Sequence, residues 1–150
     1  MGLHHRLAGL GDRLVGIRNG IDTAIWDPTV DPHIAASFGG ADRRGRAACR
    51  GALAAECGWP DVHVARVATV SRLVEQKGID LLLDVVRFLP HLPARLAVLG
   101  SGDPDLAAGL RDAATSHPDQ VFFVVGYDEP LAHRLFAGSD LFVMPSRFEP

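Results

Sequence analysis

Residues 64–86 of the chain are VARVATVSRLVEQKGIDLLLDVV, and this stretch predicts the fold class. It opens with a short apolar, β-branched run over residues 64–70, a pattern typical of a buried strand. After a polar loop, apolar side chains recur at helical spacing from residue 79 to about residue 89, which predicts an amphipathic helix. A strand, a loop and a helix in this order form the first unit of an α/β fold.

The same alternation continues to the end of the chain. Three further strands are predicted at residues 95–99, 121–125 and 140–144, and two further helices at residues 104–115 and 129–137. The predicted fold is therefore α/β, with a Rossmann-like parallel sheet and flanking helices. Sheets of this kind bind ligands beyond the carboxyl ends of their strands. We expect the functional residues in the four loops that follow the strands.

The first part of the chain is less regular than the second. Residues 1–63 are expected to lead into an α/β domain that begins at residue 64. Within the first part, Asp42 is expected to cap a helix that runs to about Cys57. Cys49 and Cys57 lie on that helix, and without close cysteine pairs they are expected to be buried thiols.

The composition excludes several classes of function. Hydrophobic residues make up 47% of the 150 residues and charged residues 22%, which is typical of one soluble globular unit. The net charge of -3 gives no basic field for nucleic acid or an anionic membrane. No apolar stretch approaches the ~20 residues that cross a bilayer. The first residues lack a signal-peptide pattern, so we expect a cytoplasmic protein. We expect it to bind neither nucleic acid nor a membrane.

Two cations lie in the loop after the first predicted strand. Arg72 and Lys77 are five residues apart, where the chain turns into a helix whose free N–H groups attract anions. Arginine forks onto phosphate oxygens and lysine supplies a compact charge, so the two residues suit a diphosphate. A solvated pair of surface charges is the alternative that the spacing leaves open.

The next two loops carry weaker signals for a nucleotide. Gly100 and Gly102 would let the backbone approach a flat ligand, and Gly102 is a candidate nucleotide-binding residue. Asp105 stands where a dinucleotide fingerprint needs its third glycine, which argues against a dehydrogenase. Tyr127, the only tyrosine, offers a stacking surface for a base. A simple turn and an exposed loop aromatic are the alternatives.

The last loop carries a charged pair at the mouth of the same crevice. Arg147 and Glu149 could meet a sugar hydroxyl or a developing positive charge there, although a salt bridge at the rim is the alternative. The seven histidines are mostly dispersed and lack cysteine partners, so no metal site is expected. Together, the four loops offer cations, glycines, an aromatic ring and a carboxylate, which suits a phosphorylated nucleotide.

The order and spacing of four motifs resemble bacterial glycogen synthases and plant starch synthases. The resemblance runs from about residue 13 to the end of the chain. The motifs are RNGID (18–22) with WDP (26–28), SRLVEQKGID (71–80), GYDE (126–129) and MPSRFEP (144–150).

This resemblance implies a two-domain, retaining glycosyltransferase of the GT-B type. Residues 1–63 would form the interdomain segment and the entry to its C-terminal domain, and residues 64–150 the first part of that Rossmann-like, nucleotide-sugar-binding domain. The implied reaction moves glucose from ADP-glucose, the donor substrate, to the non-reducing end of an α-1,4-glucan. Neither a metal ion nor a cofactor is implied.

By position, Arg72 and Lys77 match the family's diphosphate-binding cations and contribute to catalysis. Tyr127 matches the residue that stacks on adenine, Asn19 a polar residue facing the sugar site, and Glu149 the catalytic carboxylate.

The resemblance also implies that other parts of the active site lie outside this chain. The family's acid loop continues as Cys-Gly-Leu, a later Thr-Gly-Gly turn binds the diphosphate, and an N-terminal domain supplies a Lys-Thr-Gly-Gly loop. We therefore expect the chain alone to be inactive. We also expect its last strand to expose an edge and an apolar face, with marginal stability or aggregation as the result.

Two alternative functions stay open. The first is another GT-B transferase that uses a UDP- or GDP-sugar, because an arginine and a lysine at this spacing with a later glutamate recur in that fold. Residues 26–28 and 126–129 favour the glucan synthases instead. The second is a non-catalytic module that binds nucleotide or protein.

Overall fold

The computed structural model describes residues 3–60 and 62–149. Its centre is a four-stranded parallel sheet with the order β3-β2-β1-β4. The strands are β1 (Ala65–Val70), β2 (Ala94–Gly100), β3 (Val121–Val125) and β4 (Leu141–Phe142). The helices are α1 (His4–Ala8), α2 (Arg44–Glu56), α3 (Ile79–Val86), α4 (Pro104–Ser116) and α5 (Glu129–Gly138), with 3-10 turns at Gly11–Arg13, Glu75–Lys77 and Leu89–His91. The predicted α/β fold is confirmed.

Helices cover both faces of the sheet, so apolar side chains that alternate along each strand enter two cores. One core lies between the sheet and helices α2 and α5, and the other between the sheet and helices α3 and α4. The first contains Leu53, Ala68, Ala97, Leu99, Leu131 and Leu135. The second contains Leu73, Ile79, Leu82, Leu96, Val98, Leu110 and Val121.

The last strand is shorter than the predicted 140–144. Only Leu141 and Phe142 pair with β1, followed by one hydrogen bond from the Val143 N–H to the Ala68 carbonyl (2.9 Å). The chain then leaves the sheet, since Pro145 has no N–H to donate and the residues after it bind the 3-10 turn at Glu75–Lys77.

Helix ends follow local chemistry. Helices α4 and α5 begin after Asp103 and Asp128, whose carboxylates accept backbone N–H groups of the first turn. Helix α3 ends earlier than predicted: the Phe88 N–H bonds the Val85 carbonyl in a tighter turn, and Pro90 has no N–H to donate to the Val86 carbonyl. The predicted cap of α2 is wrong: Arg43 occupies the cap position without a side-chain hydrogen bond. The Asp42 carboxylate instead accepts the N–H and guanidinium of Arg44.

Residues 22–40 lie against α2 and α5. The Trp26 ring stacks on His133 of α5 at 3.9 Å, and His133 Nδ1 lies 2.6 Å from Asp31 Oδ2. The Cys49 thiol donates to the Ala36 carbonyl. Both cysteines are buried and free, which confirms that prediction. Part of the expected interdomain segment is therefore attached to the domain that follows it.

Candidate functional site

The loops after β1, β2 and β3 surround a cavity of about 250 Å³ at the carboxyl edge of the sheet. The predicted site residues Arg72 and Tyr127 both line this cavity. Its other lining residues are Val70, Ser71, Leu99, Gly100, Ser101, Gly126, Asp128 and Ala132. The parallel sheet brings these loops together because parallel strands end at the same edge.

The Tyr127 ring stands out from the wall of the cavity and is 87% exposed. Its hydroxyl lies 3.2 Å from a carboxylate oxygen of Glu129, to which it donates, and this carboxylate raises the pKa of Tyr127. The next residue, Asp128, accepts the N–H of Leu131 and so fixes the start of α5. The loop therefore presents an aromatic face whose polar end is already hydrogen-bonded.

Lys77 and Glu149 meet although they are 72 residues apart in sequence. The Lys77 Nζ lies 2.6 and 2.7 Å from the two Glu149 carboxylate oxygens. The Lys77 side chain is 16% exposed and that of Glu149 is 48% exposed. The Lys77 ammonium lowers the pKa of Glu149, and the charge of Arg72 acts in the same direction. Glu149 is therefore held as a carboxylate by Lys77, and neither of these two residues lines the cavity.

Two features of the sequence make this site convenient to study. Lys77 is the only lysine of the chain, and Tyr127 is the only tyrosine. Each residue can therefore be labelled or modified without interference from another side chain of its own type.

The Arg147 guanidinium does not line the cavity; it forms a salt bridge, which is the alternative that the sequence left open. It makes a bidentate pair with Asp80, at 2.6 and 2.5 Å, and donates a third hydrogen bond to the Glu75 carbonyl. No motif in the sequence identifies Asp80 as the partner of Arg147. Acidic residues are favoured in the first turn of a helix, and the place of Asp80 in the first turn of a predicted helix is the sequence feature that could have drawn attention to it.

Gly102 lies beside the cavity but does not line it. A Cβ there would lie 2.3 Å from the Leu73 carbonyl oxygen, so the missing side chain allows two loop backbones to approach each other. The Leu73 N–H donates to the Ser101 carbonyl and the Asp103 N–H donates to the Leu73 carbonyl. A ligand-binding role for Gly102 stays a prediction.

Asn19 lies in an exposed, irregular segment and is not a lining residue of the cavity. Its predicted role at the sugar site stays a prediction. Among the residues described, no group of three or more His, Cys, Asp or Glu side chains could hold a metal ion. No helix in the same residues is long and apolar enough to cross a membrane.

Comparison with known proteins decides the family. Residues 63–150 match the family described as glycosyl transferases group 1. The chain belongs to this family. All the site residues placed so far except Asn19 fall within the matched range.

Relatives of this group 1 glycosyl transferase chain resemble it far beyond the matched domain. It is 54% identical over 148 residues to a glycogen synthase of Halorhodospira halophila and 51% identical over 154 residues to one of Anaeromyxobacter dehalogenans. Each alignment covers 99% of this chain and 30% of the relative. The chain therefore spans about 30% of the length of these curated relatives.

Solved structures agree with the sequence relatives. The chain superposes with a TM-score of 0.88 and 35% identity on the catalytic domain of Arabidopsis thaliana starch synthase IV bound to ADP and acarbose. This match covers 99% of the chain and 31% of the starch synthase. The C-terminal domain of a group 1 glycosyl transferase from Francisella tularensis shares the fold, with a TM-score of 0.53 and 17% identity over 87% of this chain and 60% of that one. The resemblance to glycogen and starch synthases is confirmed.

Proposed function

We propose that the chain forms the nucleotide-sugar-binding part of a glycogen or starch synthase that uses ADP-glucose. The reaction is transfer of glucose to the non-reducing end of an α-1,4-glucan, with retention of configuration. The observation that carries the proposal is the pairing of Lys77 with Glu149, on which the charge of Arg72 also acts, while Arg72 and Tyr127 line the cavity. Similarity to proteins named glycogen synthase over 99% of the chain supports it.

The residues of this edge of the sheet suit a nucleoside diphosphate in their chemistry. Tyr127, on the loop after β3, offers an exposed ring on which a purine can stack. Arg72, on the loop after β1, offers a planar fork for two phosphate oxygens. Lys77 follows at the end of the 3-10 turn, with a compact charge for the phosphate nearer the sugar. Base and diphosphate would thus be held by different loops of one sheet edge.

Glucose transfer requires charge stabilisation at two points. Negative charge grows on the departing ADP, where Arg72 and Lys77 would stabilise it. Positive charge grows on the sugar carbon, as in other glycosidic bond cleavages, and an ionised Glu149 would stabilise that charge. Because Lys77 contacts Glu149, its single ammonium group would serve both the carboxylate and the phosphate in this proposal.

The choice of ADP as the donor nucleotide is supported by the starch synthase IV structure, which was solved with ADP. Calorimetric titration of the full chain with ADP, UDP and GDP tests this choice. We expect ADP to bind most tightly. Lys77→Ala should weaken ADP binding at least about tenfold, since it removes a charge-assisted hydrogen bond.

Arg87→Ala is the matched control, because Arg87 is an exposed cation that follows the C-terminal end of α3. Since α3 starts at the cavity edge of the sheet, Arg87 lies toward the other edge. Its loss should leave ADP affinity within about twofold, apart from weak long-range effects that salt screens. Equal weakening by the two variants, or tighter binding of UDP than of ADP, would contradict the proposal.

A further inference from the structure

The segment that carries Glu149 lies outside the sheet and the helices. Residues 145–149 are irregular and largely exposed, yet several contacts hold them along the 3-10 turn at Glu75–Lys77 and the start of α3. Glu149 is about half exposed, and one ion pair between two long side chains holds an irregular segment only weakly. The position of Glu149 therefore requires other contacts.

We propose that Arg147 and Asp80 are positioning residues that hold Glu149 against Lys77. The role of Glu149 in catalysis rests on the proposed function, whereas the positioning itself does not. In this arrangement Arg147 touches neither donor nor acceptor. It acts through the backbone of its own segment, two residues before the carboxylate.

The Arg147–Asp80 pair has the geometry of a strong ion pair. Both guanidinium Nη atoms reach Asp80 oxygens, at 2.6 and 2.5 Å, and Nη1 also donates to the Glu75 carbonyl (2.7 Å). One planar group therefore joins the segment to both the 3-10 turn and α3. Arg147 lowers the pKa of Asp80, and Asp80 raises the pKa of Arg147.

Backbone contacts fix the register of the same segment. The Arg147 N–H donates to the Gln76 carbonyl (2.8 Å), and the Gln76 side-chain amide donates to the Phe148 carbonyl (3.2 Å). A Cβ on Gly78 would lie 2.1 Å from the Pro145 carbonyl oxygen, so only glycine lets the two backbones approach this closely. With residues 145, 147 and 148 anchored, residue 149 falls beside Lys77.

The test is a pH titration of the Glu149 carboxyl by carbon-13 NMR in the full chain. The chain has only four glutamates, so side-chain labelling gives few signals, and Glu149→Gln assigns the one of interest. In the native chain this signal should titrate below the range of an ordinary glutamate because of Lys77. Arg147→Ala and Asp80→Ala should each move it upward into that range.

Arg134→Ala is the matched control. Arg134 makes a bidentate pair with Glu56 that joins α5 to α2. The side chains of this pair are 31% and 30% exposed, against 34% and 38% for Arg147 and Asp80. The two pairs are therefore equally strong candidates for a purely structural role, and only one is predicted to move the Glu149 titration.

Rescue separates positioning from loss of folding. Combining Arg147→Asp with Asp80→Arg should return the Glu149 titration toward that of the native chain. If Arg147→Ala fails to fold, Arg147→Lys keeps the charge without the planar fork and should give a smaller upward shift. The proposal is overturned if Glu149 titrates unchanged in folded Arg147→Ala and Asp80→Ala, or if Arg134→Ala shifts it equally.

The titration contains no nucleotide, so it can fail independently of the proposed function. ADP binding, which tests that function, is measured separately by calorimetry. A chain that binds no ADP but shows the expected Glu149 shifts would keep the positioning inference and contradict the synthase proposal. The opposite pair of results would keep the synthase proposal and overturn the positioning inference.

Discussion

Gly78 shows how one residue without a side chain lets the loop that carries Lys77 approach the segment that carries Glu149. It follows Lys77, has a φ of 67°, and caps the start of α3. Its neighbour across the loop is the Pro145 carbonyl. The sequence motif that contains Gly78 is recognisable, but a motif does not say which distant backbone lies against it. That contact is visible only in the structure.

Gly78→Ala is predicted to destabilise the fold and release residues 145–149. A side chain at positive φ costs about 1–2 kcal/mol, and the contact with the Pro145 backbone cannot be relieved by a rotamer change. The control is Gly51→Ala, in α2, where an added Cβ meets nothing within 4 Å. Thermal unfolding should show a lower Tm for the first variant and an unchanged or higher Tm for the second. An unchanged Tm in Gly78→Ala would contradict the close approach.

Cys57 is predicted to be chemically inert in the folded chain. Burial raises its pKa to about 12, so it remains a neutral thiol at about pH 8, and the thiolate is the reactive form. A Cys49→Ala variant leaves Cys57 as the only thiol. Its reaction with a disulfide reagent should be slow until urea unfolds the chain. Fast reaction under native conditions would show that the α2 core is open.

At the scale of elements, local sequence patterns predict the bounds of helices and strands better than they predict long-range contacts. Strand β3 has the predicted bounds and α4 ends one residue later than predicted, because apolar periodicity and the Asp103-Pro104 start are local signals. The predicted strand β4 is too long. The path of the chain after it depends on Gln76 and Asp80, about 70 residues earlier, and no local pattern encodes such contacts.

The attachment of residues 145–149 is predicted to weaken in acid. The pKa values of Asp80 and Glu149 are lowered in the fold by Arg147 and Lys77. Groups with lowered pKa values stabilise the fold above their unfolded pKa values of about 4, and that contribution disappears as the pH falls through the folded values.

Hydrogen exchange at the Arg147 amide, which is bonded to Gln76, measures this attachment. After correction for intrinsic rates, its protection should be constant from about pH 7 to about pH 5. It should then decline in more acidic solution before global unfolding. Protection that stays constant until the whole chain unfolds would mean that the two ion pairs contribute little to the attachment.

At the scale of the whole molecule, an apolar surface lies along β4 and α3. Leu141, Phe142 and Met144 are exposed, and β4 has a neighbour on only one side among the residues described. An apolar cavity of about 270 Å³ adjoins Val143 and Pro145, between α3 and the sheet. Such surfaces on soluble proteins mark contact with other protein or a tendency to aggregate.

The chain alone is therefore predicted to self-associate through this surface. Leu141→Lys should reduce the association, because it places a charge on the exposed edge strand. Sedimentation velocity at increasing concentration measures the effect, with exposed Val30→Lys, on the irregular segment 22–40, as the control. A native chain that remains monomeric at high concentration would contradict the prediction.

Glucose transfer by a hybrid enzyme tests the central claim most directly. The hybrid carries this chain in place of the matching 148 residues of the Halorhodospira halophila glycogen synthase, to which it is 54% identical. The account predicts that the hybrid transfers glucose from ADP-glucose to glycogen. Glu149→Gln in the hybrid should reduce turnover by at least about a hundredfold, as expected when a group that stabilises transition-state charge is lost. A folded hybrid that transfers no glucose, or a Glu149→Gln hybrid that turns over as fast as the unmodified one, would contradict the account.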